Sequence, residues 1–360
     1  MMSNICDKPF NLEFAVTNMC NCRCIQCSVW KDYLEKPERI REELTTKEIE
    51  KIFSSYKGFS IIGITGGEPY MRRDLSDILS VIASNQPRLR MLFITTNGQF
   101  PGVTEGVLKK FLEMRLDEGW GFDVVQMVSL DGPKEIHDKI RGVNGAYDKV
   151  METIEIIHKL RGRYDALKFG TVTVLSPYNI DRIEGVFKKI EGVVEEFGGE
   201  PSFCVWFVGQ LYKNYELFRE VDVEGFRRKL MEYLPRAVEV VGRGSALTLG
   251  RRAFYLLLSK WLKRPDRQVI PCMAARVRCF LDPYGNLYPC TIADLPIGNL
   301  REHRYDFESV FKSGNRRRVR RLVEVERCPV CCNTCETIPA MMAQPLKTAM
   351  MLLEAKLVSR

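Results

Sequence analysis

The stretch Thr17–Trp30, TNMCNCRCIQCSVW, places Cys20, Cys22, Cys24 and Cys27 within eight residues, between a short apolar run (Leu12–Val16) and a charged segment. Cys20, Cys24 and Cys27 read as C-x3-C-x2-C. Three thiolates this close on one loop can hold three corners of a [4Fe–4S] cube, because soft iron takes cysteine sulfur. No fourth cysteine falls at a matching spacing, so one iron would be open to a ligand from outside the chain. Zinc competes for such a loop, but it favours a second cysteine pair or histidines, and His137, His158 and His303 all lie far along the chain. A disulfide framework does not suit a 360-residue chain that opens MMSNICDKPF without an apolar signal segment.

Composition sets the bounds around this loop. A length of 360 residues suits one large domain and a smaller one, and 45% hydrophobic content supports a sizeable core. No apolar run reaches the length of a membrane span. Thirteen cysteines fit a reducing cytoplasm and metal or cluster use. The net charge of +8 leaves room for anionic partners without requiring them. Much of the excess is local, in Arg316-Arg317-Arg318-Val319-Arg320-Arg321.

Outward from the cysteine loop, strands and helices alternate. Residues 11–16 read as a strand feeding the loop. Residues 31–43 read as a solvated loop or short helix, and Thr45 with Glu48 as a capping box opening a helix to about Tyr56. A buried strand over 60–65 ends in Gly66-Gly67-Glu68-Pro69. Two glycines at a strand end let backbone approach a ligand, and a carboxylate follows that can accept from an ammonium group. By itself this is also an ordinary turn. A helix is expected over 75–84, a strand over 90–95 before Thr96-Asn97-Gly98, a helix over 104–114, and a strand over 123–130 closing in Ser129-Leu130-Asp131-Gly132-Pro133. Then come a helix over 147–160, a strand over 168–175, a helix over 181–197 and a strand over 203–208. Cys204 in that last strand reads as a buried apolar thiol. Six strand–helix alternations argue for a parallel sheet with right-handed crossovers, and polar or glycine-rich segments after each strand put the chemistry at the strands' C-terminal ends.

These motifs, in this order, resemble the radical S-adenosylmethionine (radical SAM) superfamily over about the first 60% of the chain. The resemblance implies a partial (β/α)6 TIM-like barrel in an α/β fold. Cys20, Cys24 and Cys27 would carry the cluster, with SAM on the open iron. The family carries an aromatic residue just before the third cysteine; here that position is Gln26, and Trp30 would cover the cluster instead. By position, Gly66, Gly67 and Glu68 take the role of holding SAM's amino group, and Asn97 joins the cofactor-binding set. Ser129 and Arg141 correspond to the residues placed against SAM's ribose and carboxylate. His137 and Asp138, between them, read equally well as a helix-entry salt-bridge cluster.

Residues 215–262 read as two helices with a break at Val241-Gly242-Arg243-Gly244. Beyond them lie Cys272, Cys279, Cys290, Cys328, Cys331, Cys332 and Cys335. A hairpin is expected where Phe280–Asp282 and Asn286–Tyr288 flank Pro283-Tyr284-Gly285. The spacing C-x12-G-x4-C over Cys272, Gly285 and Cys290 resembles the start of the SPASM and Twitch auxiliary domains. That resemblance implies one auxiliary [4Fe–4S] cluster, or two incomplete ones, with Cys272, Cys290, Cys328, Cys331 and Cys335 as candidate ligands and Cys279 and Cys332 as spares. A zinc ribbon competes through the paired C-x2-C spacings at 328–331 and 332–335. Where some relatives carry an acid after the hairpin's second cysteine this chain has Thr291, with Asp294 nearby. The expected organisation is a radical SAM core over 1–215, a helical linker over 216–265, a small cysteine-rich auxiliary-cluster domain over 266–338 and a C-terminal helix over 339–360.

The arginine run reads as a solvated helix or as a surface for an anionic partner; without interleaved aromatics it gives nucleic acid no special support. The Met- and Leu-rich tail reads as a helix packed on the barrel. The functional expectation is reductive cleavage of SAM to a 5′-deoxyadenosyl radical that takes hydrogen from a small-molecule, lipid- or sugar-linked, or peptide substrate. The chain's start, almost directly on the first strand, tilts this toward the non-peptide classes. A ferredoxin or flavodoxin would supply electrons in the cytoplasm. A non-catalytic iron–sulfur carrier would leave the glycine-acid and SLDGP motifs without a role, and a zinc-stabilised nucleic-acid-binding module is the third class.

Overall fold

The computed structural model describes residues 7–205, 221–242, 246–324 and 331–358. Its first strand, β1 (Asn11–Thr17), shows why the chain folds into layers. Leu12, Phe14 and Val16 are fully buried on one face, with Phe14 6.0 Å between ring centroids from Phe53 of α2 (Thr46–Ser55). Residues of the opposite parity, Glu13 and Ala15, face the hollow of the sheet. Strand alternation with period two thus separates an outer apolar face, covered by helices, from an inner face.

The remaining core elements follow as β2 (Ile61–Gly66), α3 (Leu75–Asn85), β3 (Met91–Thr96), α4 (Pro101–Asp117), β4 (Asp123–Ser129), α5 (Lys134–Arg141), α6 (Ala146–Arg161), β5 (Leu167–Leu175), α7 (Ile183–Phe197) and β6 (Glu200–Val205). A short α1 (Val29–Glu35) and a 3-10 turn (Pro37–Glu42) follow the cysteine loop. Adjacent strands from β1 to β6 pair parallel in sequence order, for example Asn11 with Ile61 and Ile61 with Met91. Parallel pairing brings all their C-terminal ends to one rim. This is the α/β, barrel-like sheet expected of the sequence.

Several local expectations shift. The capping box at Thr45 and Glu48 forms as read, and its helix starts at Thr46. Helix α4 begins at Pro101, three residues before Thr104, because proline at the first helical position needs no N–H partner. The helix read over 181–197 opens with a 3-10 turn, Ile180–Arg182, before α7. Strand β6 starts at Glu200, and the expected end of that strand at Val208 lies outside the described residues.

After α8 (Val223–Val241) and α9 (Ala246–Lys263), the hairpin returns to the sheet. β7 (Arg278–Leu281) pairs parallel with the free side of β1, Asn11 opposite Arg278. β8 (Asn286–Tyr288) and β9 (Gly298–Asn299) then add antiparallel, giving the order β6-β5-β4-β3-β2-β1-β7-β8-β9. Helices α10 (Phe307–Phe311), α11 (Gly314–Glu324), α12 (Thr334–Ala343) and α13 (Pro345–Val358) complete the described chain. The tail helix α13 docks on α9, where Lys260 Nζ donates to the Met351 carbonyl at 2.9 Å, and leaves Leu346, Met350 and Leu353 exposed. Among the described residues no helix is long and apolar enough to cross a membrane.

Candidate functional site

The cysteine loop leaves β1 at Thr17 and is stitched to its surroundings by backbone. The Gly67 N–H donates to Thr17 O at 2.8 Å and the Glu68 N–H to Met19 O at 2.6 Å. A Cβ at Gly67 would stand 2.0 Å from Met19 O, and one at Gly66, whose φ is 125°, 2.2 Å from Thr17 O. The glycine pair is therefore required by contact between the β2 turn and the loop itself. On the far side, the Arg23 N–H donates to Arg141 O at 2.9 Å and the Ile25 N–H to Ile140 O at 3.0 Å, anchoring the loop to the end of α5. Trp30 Nε1 donates to Cys24 O at 3.1 Å, so the indole covers the loop from its C-terminal side.

The side chains around the loop come from the ends of three further strands. Glu68 is fully buried. It accepts from Tyr70 N at 3.1 Å, Thr96 Oγ1 at 2.8 Å and Asn97 N at 2.6 Å. Burial pushes its carboxyl up to about 7 in spite of those donors. Asn97 Nδ2 in turn donates to Asn21 Oδ1 at 2.8 Å and reaches Cys20 Sγ at 3.9 Å. Arg141 Nη1 reaches Cys24 Sγ at 3.9 Å, while its Nη2 lies 2.8 Å from Asp131 Oδ2. Ser129, the last residue of β4, is buried at the same rim of strand ends. Gly66, Gly67, Glu68, Asn97 and Arg141 thus all touch the cysteine loop or one another.

His137 and Asp138 do not form the salt-bridge cluster that their spacing allows. Asp138 accepts from Gly145 N and Tyr147 N, both at 2.8 Å, and so holds the start of α6. His137 Nδ1 accepts from Asp131 N at 3.2 Å, and burial, then the Arg141 charge, holds its pKa well below the usual imidazole value. Asp131, fully buried, is the residue the sequence reading passed over. Its signal was available: an acid at a strand end, with an arginine one short helix later.

Cys22, which is outside the C-x3-C-x2-C set, is buried between the other thiols. Its hydrogen bonds to Cys20 and Cys24 lower both of those pKa values, and burial opposes the shift. For Cys24 the bond from Cys22, aided by the Arg141 charge, brings the thiol to about 6. Burial pushes Cys27 up to about 12. Among the described residues no three His, Cys, Asp or Glu side chains stand close enough to cage a single ion. What suits the loop to a cluster is its donor set and lining: three thiols at the required spacing, N–H donors from Asn97 and Arg141 beside two of the sulfurs, and bare backbone at Gly66-Gly67.

A second set of thiols gathers beyond the hairpin. Cys290, with Ala274, Ile292 and Ala293, forms a small apolar patch, and Cys272 and Cys331 pack against it. Cys290 Sγ accepts from Ile292 N at 3.4 Å and Ala293 N at 3.2 Å, and Cys272 Sγ from Ala274 N at 3.5 Å. Such N–H···S bonds are what cluster thiolates use, so these residues fit an iron–sulfur group. Cys279 and Cys332 belong to the main core instead. Cys335 is exposed and stands with Glu13, Arg278, Cys204 and Glu336, and Cys328 lies outside the described residues. Cys204 is not the apolar core thiol expected from its strand. It is half-buried, 3.3 Å from Thr334 Oγ1, because β6 turns it toward the inner face, where α12 closes over it.

Arg278 organises that inner face. Its Nη1 donates to Asn11 Oδ1 at 2.6 Å and its Nε to Glu336 Oε1 at 3.0 Å, with Glu13 Oε2 3.6 Å from Nη2. Thr291 donates to the same Glu336 oxygen through Oγ1 at 3.3 Å and N at 3.4 Å. The acid that reaches Thr291 is therefore Glu336, while Asp294 is exposed.

Comparison with known proteins agrees with this geometry. A model of the radical SAM superfamily matches residues 14–190, and a model of an iron–sulfur cluster-binding domain, SPASM, matches residues 272–336. The chain is 31% identical over 160 residues to a GTP 3′,8-cyclase of Yersinia pestis, an alignment covering 41% of this chain and 45% of the cyclase. It is 21% identical over 308 residues to an AdoMet-dependent heme synthase of Oleidesulfovibrio alaskensis, covering 82% and 72% respectively. The chain thus spans under half the length of the cyclase. The solved structure of native anSMEcpe with bound AdoMet and the Cp18Cys peptide superposes with a TM-score of 0.62 at 15% identity, over 97% of this chain and 99% of that one. From the thiol loop, the rim of strand ends around it and these two matched regions, the chain belongs to the radical SAM superfamily and carries a SPASM-type iron–sulfur domain.

Proposed function

We propose that this protein cleaves SAM reductively at the Cys20–Cys27 loop and uses the radical formed to take hydrogen from a substrate held in the hollow of the barrel. The observation that carries the reading is the meeting of the β1 cysteine loop with Gly66-Gly67, Asn97 and Arg141 at one rim. Cys20, Cys24 and Cys27 would each hold one iron. When bound, the [4Fe–4S] cluster supplies the electron that splits a C–S bond of SAM into methionine and a 5′-deoxyadenosyl radical. Asn97 and Arg141 place N–H donors beside two of the thiolates, which tunes them as ligands. Gly66 and Gly67 keep side-chain atoms from the backbone that would receive SAM's amino group. Glu68, committed to Tyr70, Thr96 and Asn97, acts by fixing that rim. Ser129 and Arg141 offer hydrogen bonds for SAM's ribose and carboxylate.

Beyond the hairpin, Cys272, Cys290 and Cys331 would hold one auxiliary [4Fe–4S] cluster, completed from Cys328 or Cys335. The hollow below the rim carries Glu13, Arg278 and Glu336, which suits a substrate whose reacting region is polar, whether a small molecule, a lipid- or sugar-linked compound or a peptide. The similarity to a GTP 3′,8-cyclase and to the peptide-bound structure of anSMEcpe supports both small-molecule and peptide chemistry. A flavodoxin or ferredoxin in a reducing cytoplasm completes the assignment. The test is anaerobic reconstitution with iron and sulfide, then dithionite and SAM. 5′-Deoxyadenosine should form with the parent chain and fail to form with C20A, C24A or C27A. An iron-loaded parent chain that forms none would overturn the reading.

A further inference from the structure

The arginine run at 316–321 divides by face once it is helical. In α11, Val319 is buried, Arg317, Arg318 and Arg321 are exposed, and Arg316 and Arg320 turn inward at i, i+4 spacing. Both inward guanidinium groups land on the turn that carries Cys272. Arg320 Nη2 donates to Cys272 O at 2.8 Å and its Nη1 to Ala274 O at 3.1 Å. Arg316 Nη1 donates to Ala275 O at 2.9 Å and its head group pairs with Asp7 at 3.1 Å.

The turn needs such support. Ala275 sits at φ 55°, a left-handed conformation that is strained for alanine because its Cβ crowds the following carbonyl oxygen. In that conformation its N–H reaches Arg278 O at 2.9 Å and Pro289 O at 3.2 Å. Pro289 immediately precedes Cys290, so this one turn ties the Cys272 limb to the Cys290 limb. Two arginines hold its outward carbonyls, and the nearer one places a fixed positive charge against the Cys272 thiol, where burial strengthens the interaction.

We propose that Arg320 is a positioning residue for the auxiliary cluster: its guanidinium fixes the Cys272 limb and raises the cluster's reduction potential. This rests on the auxiliary-cluster reading above. The physical reason for the sign is that reduction adds negative charge, which a neighbouring cation stabilises. Cluster potentials respond to local charge and to hydrogen bonding around the sulfurs. The same geometry takes two of the run's six positions out of any surface for an anionic partner.

The test uses the full chain with C20A, C24A and C27A, so that only auxiliary iron remains, and follows an anaerobic redox titration by electron paramagnetic resonance. If this parent holds no iron, the auxiliary-cluster reading itself fails. If it holds iron, R320Q should titrate at a lower potential than the parent, R320K should stay closer to the parent, and the exposed control R317Q should match it. Iron loss in R320Q with retention in R320K also supports the assignment. An unchanged potential in iron-loaded R320Q, or an equal fall in R317Q, overturns it. So does iron loss in both Arg320 variants accompanied by a lowered unfolding midpoint, which would make Arg320 a support of the fold alone.

Discussion

Glu68 accepts the backbone N–H of Asn97 at 2.6 Å, joining the end of β2 to the end of β3 directly beside the cysteine loop. The same carboxylate takes the Thr96 hydroxyl and the Tyr70 N–H, so one buried side chain sets the relative height of two strand ends.

Replacing it tests that role. In E68Q the amide NH2 must face a donor, leaving at least one buried N–H or O–H unsatisfied at a cost of about 1–3 kcal/mol. The expected outcome is a lower denaturation midpoint together with weaker SAM binding, since Asn97 reaches both Asn21 and Cys20. Equilibrium denaturation and SAM titration of the iron-loaded protein measure the two effects. A destabilised variant that binds SAM as tightly as the parent would reduce Glu68 to a structural residue.

Gly67 has no room for a methyl group, because a Cβ would meet Met19 O at 2.0 Å. The neighbour is backbone, so G67A must displace the loop. We expect loss of the SAM-site iron with the auxiliary iron kept, read by iron and sulfide analysis. Full iron content in G67A would show that the loop can move without cost.

The second set of thiols separates into ligands and core residues. C290A should lose about four irons, one cluster's worth. C279A, which alters a fully buried residue of the main core, should keep its iron and lose about 1 kcal/mol of stability. Equal iron contents in the two variants would contradict the grouping of Cys290 with Cys272 and Cys331.

Acid stability should respond to Glu48. Arg301 foremost, with Thr45 and Tyr305, holds its carboxyl down to about 2, through bonds of 2.7 Å to Arg301 Nε and 2.9 Å to Tyr305 Oη. A depressed carboxyl pKa stabilises the fold fully above the unfolded value of about 4.3, and the contribution is lost as pH falls from there toward 2. E48Q should therefore be less stable than the parent at pH 7, by up to about 1 kcal/mol, because solvent screens a pair this accessible. The gap should narrow as pH drops below about 4.3, followed by denaturant midpoints. A gap independent of pH would mean that packing, and not the ion pair, joins α2 to the segment after β9.

Much of this protein was legible in its sequence because the signals are local. Most strands and helices over residues 11–205, though not α5, announced themselves through apolar periodicity, the capping box at Thr45 and the punctuation at Gly66-Gly67, Gly98 and Gly132. The spacing of Cys20, Cys24 and Cys27 carried the chemistry, since three ligands on one loop need no tertiary contact to be near one another. Tertiary structure decided what depends on long-range pairing. That β7 would add parallel to β1, bringing Arg278 against Asn11, Glu13 and Glu336, follows from two strands 267 positions apart. The grouping of Cys272 with Cys290 and Cys331, the turning of Cys204 and Cys335 toward the inner face, and the inward set of Arg316 and Arg320 likewise arise only when separate elements pack. A residue type and its spacing state what a side chain can bind; the partner it meets is set by burial and register, which no short window of sequence contains.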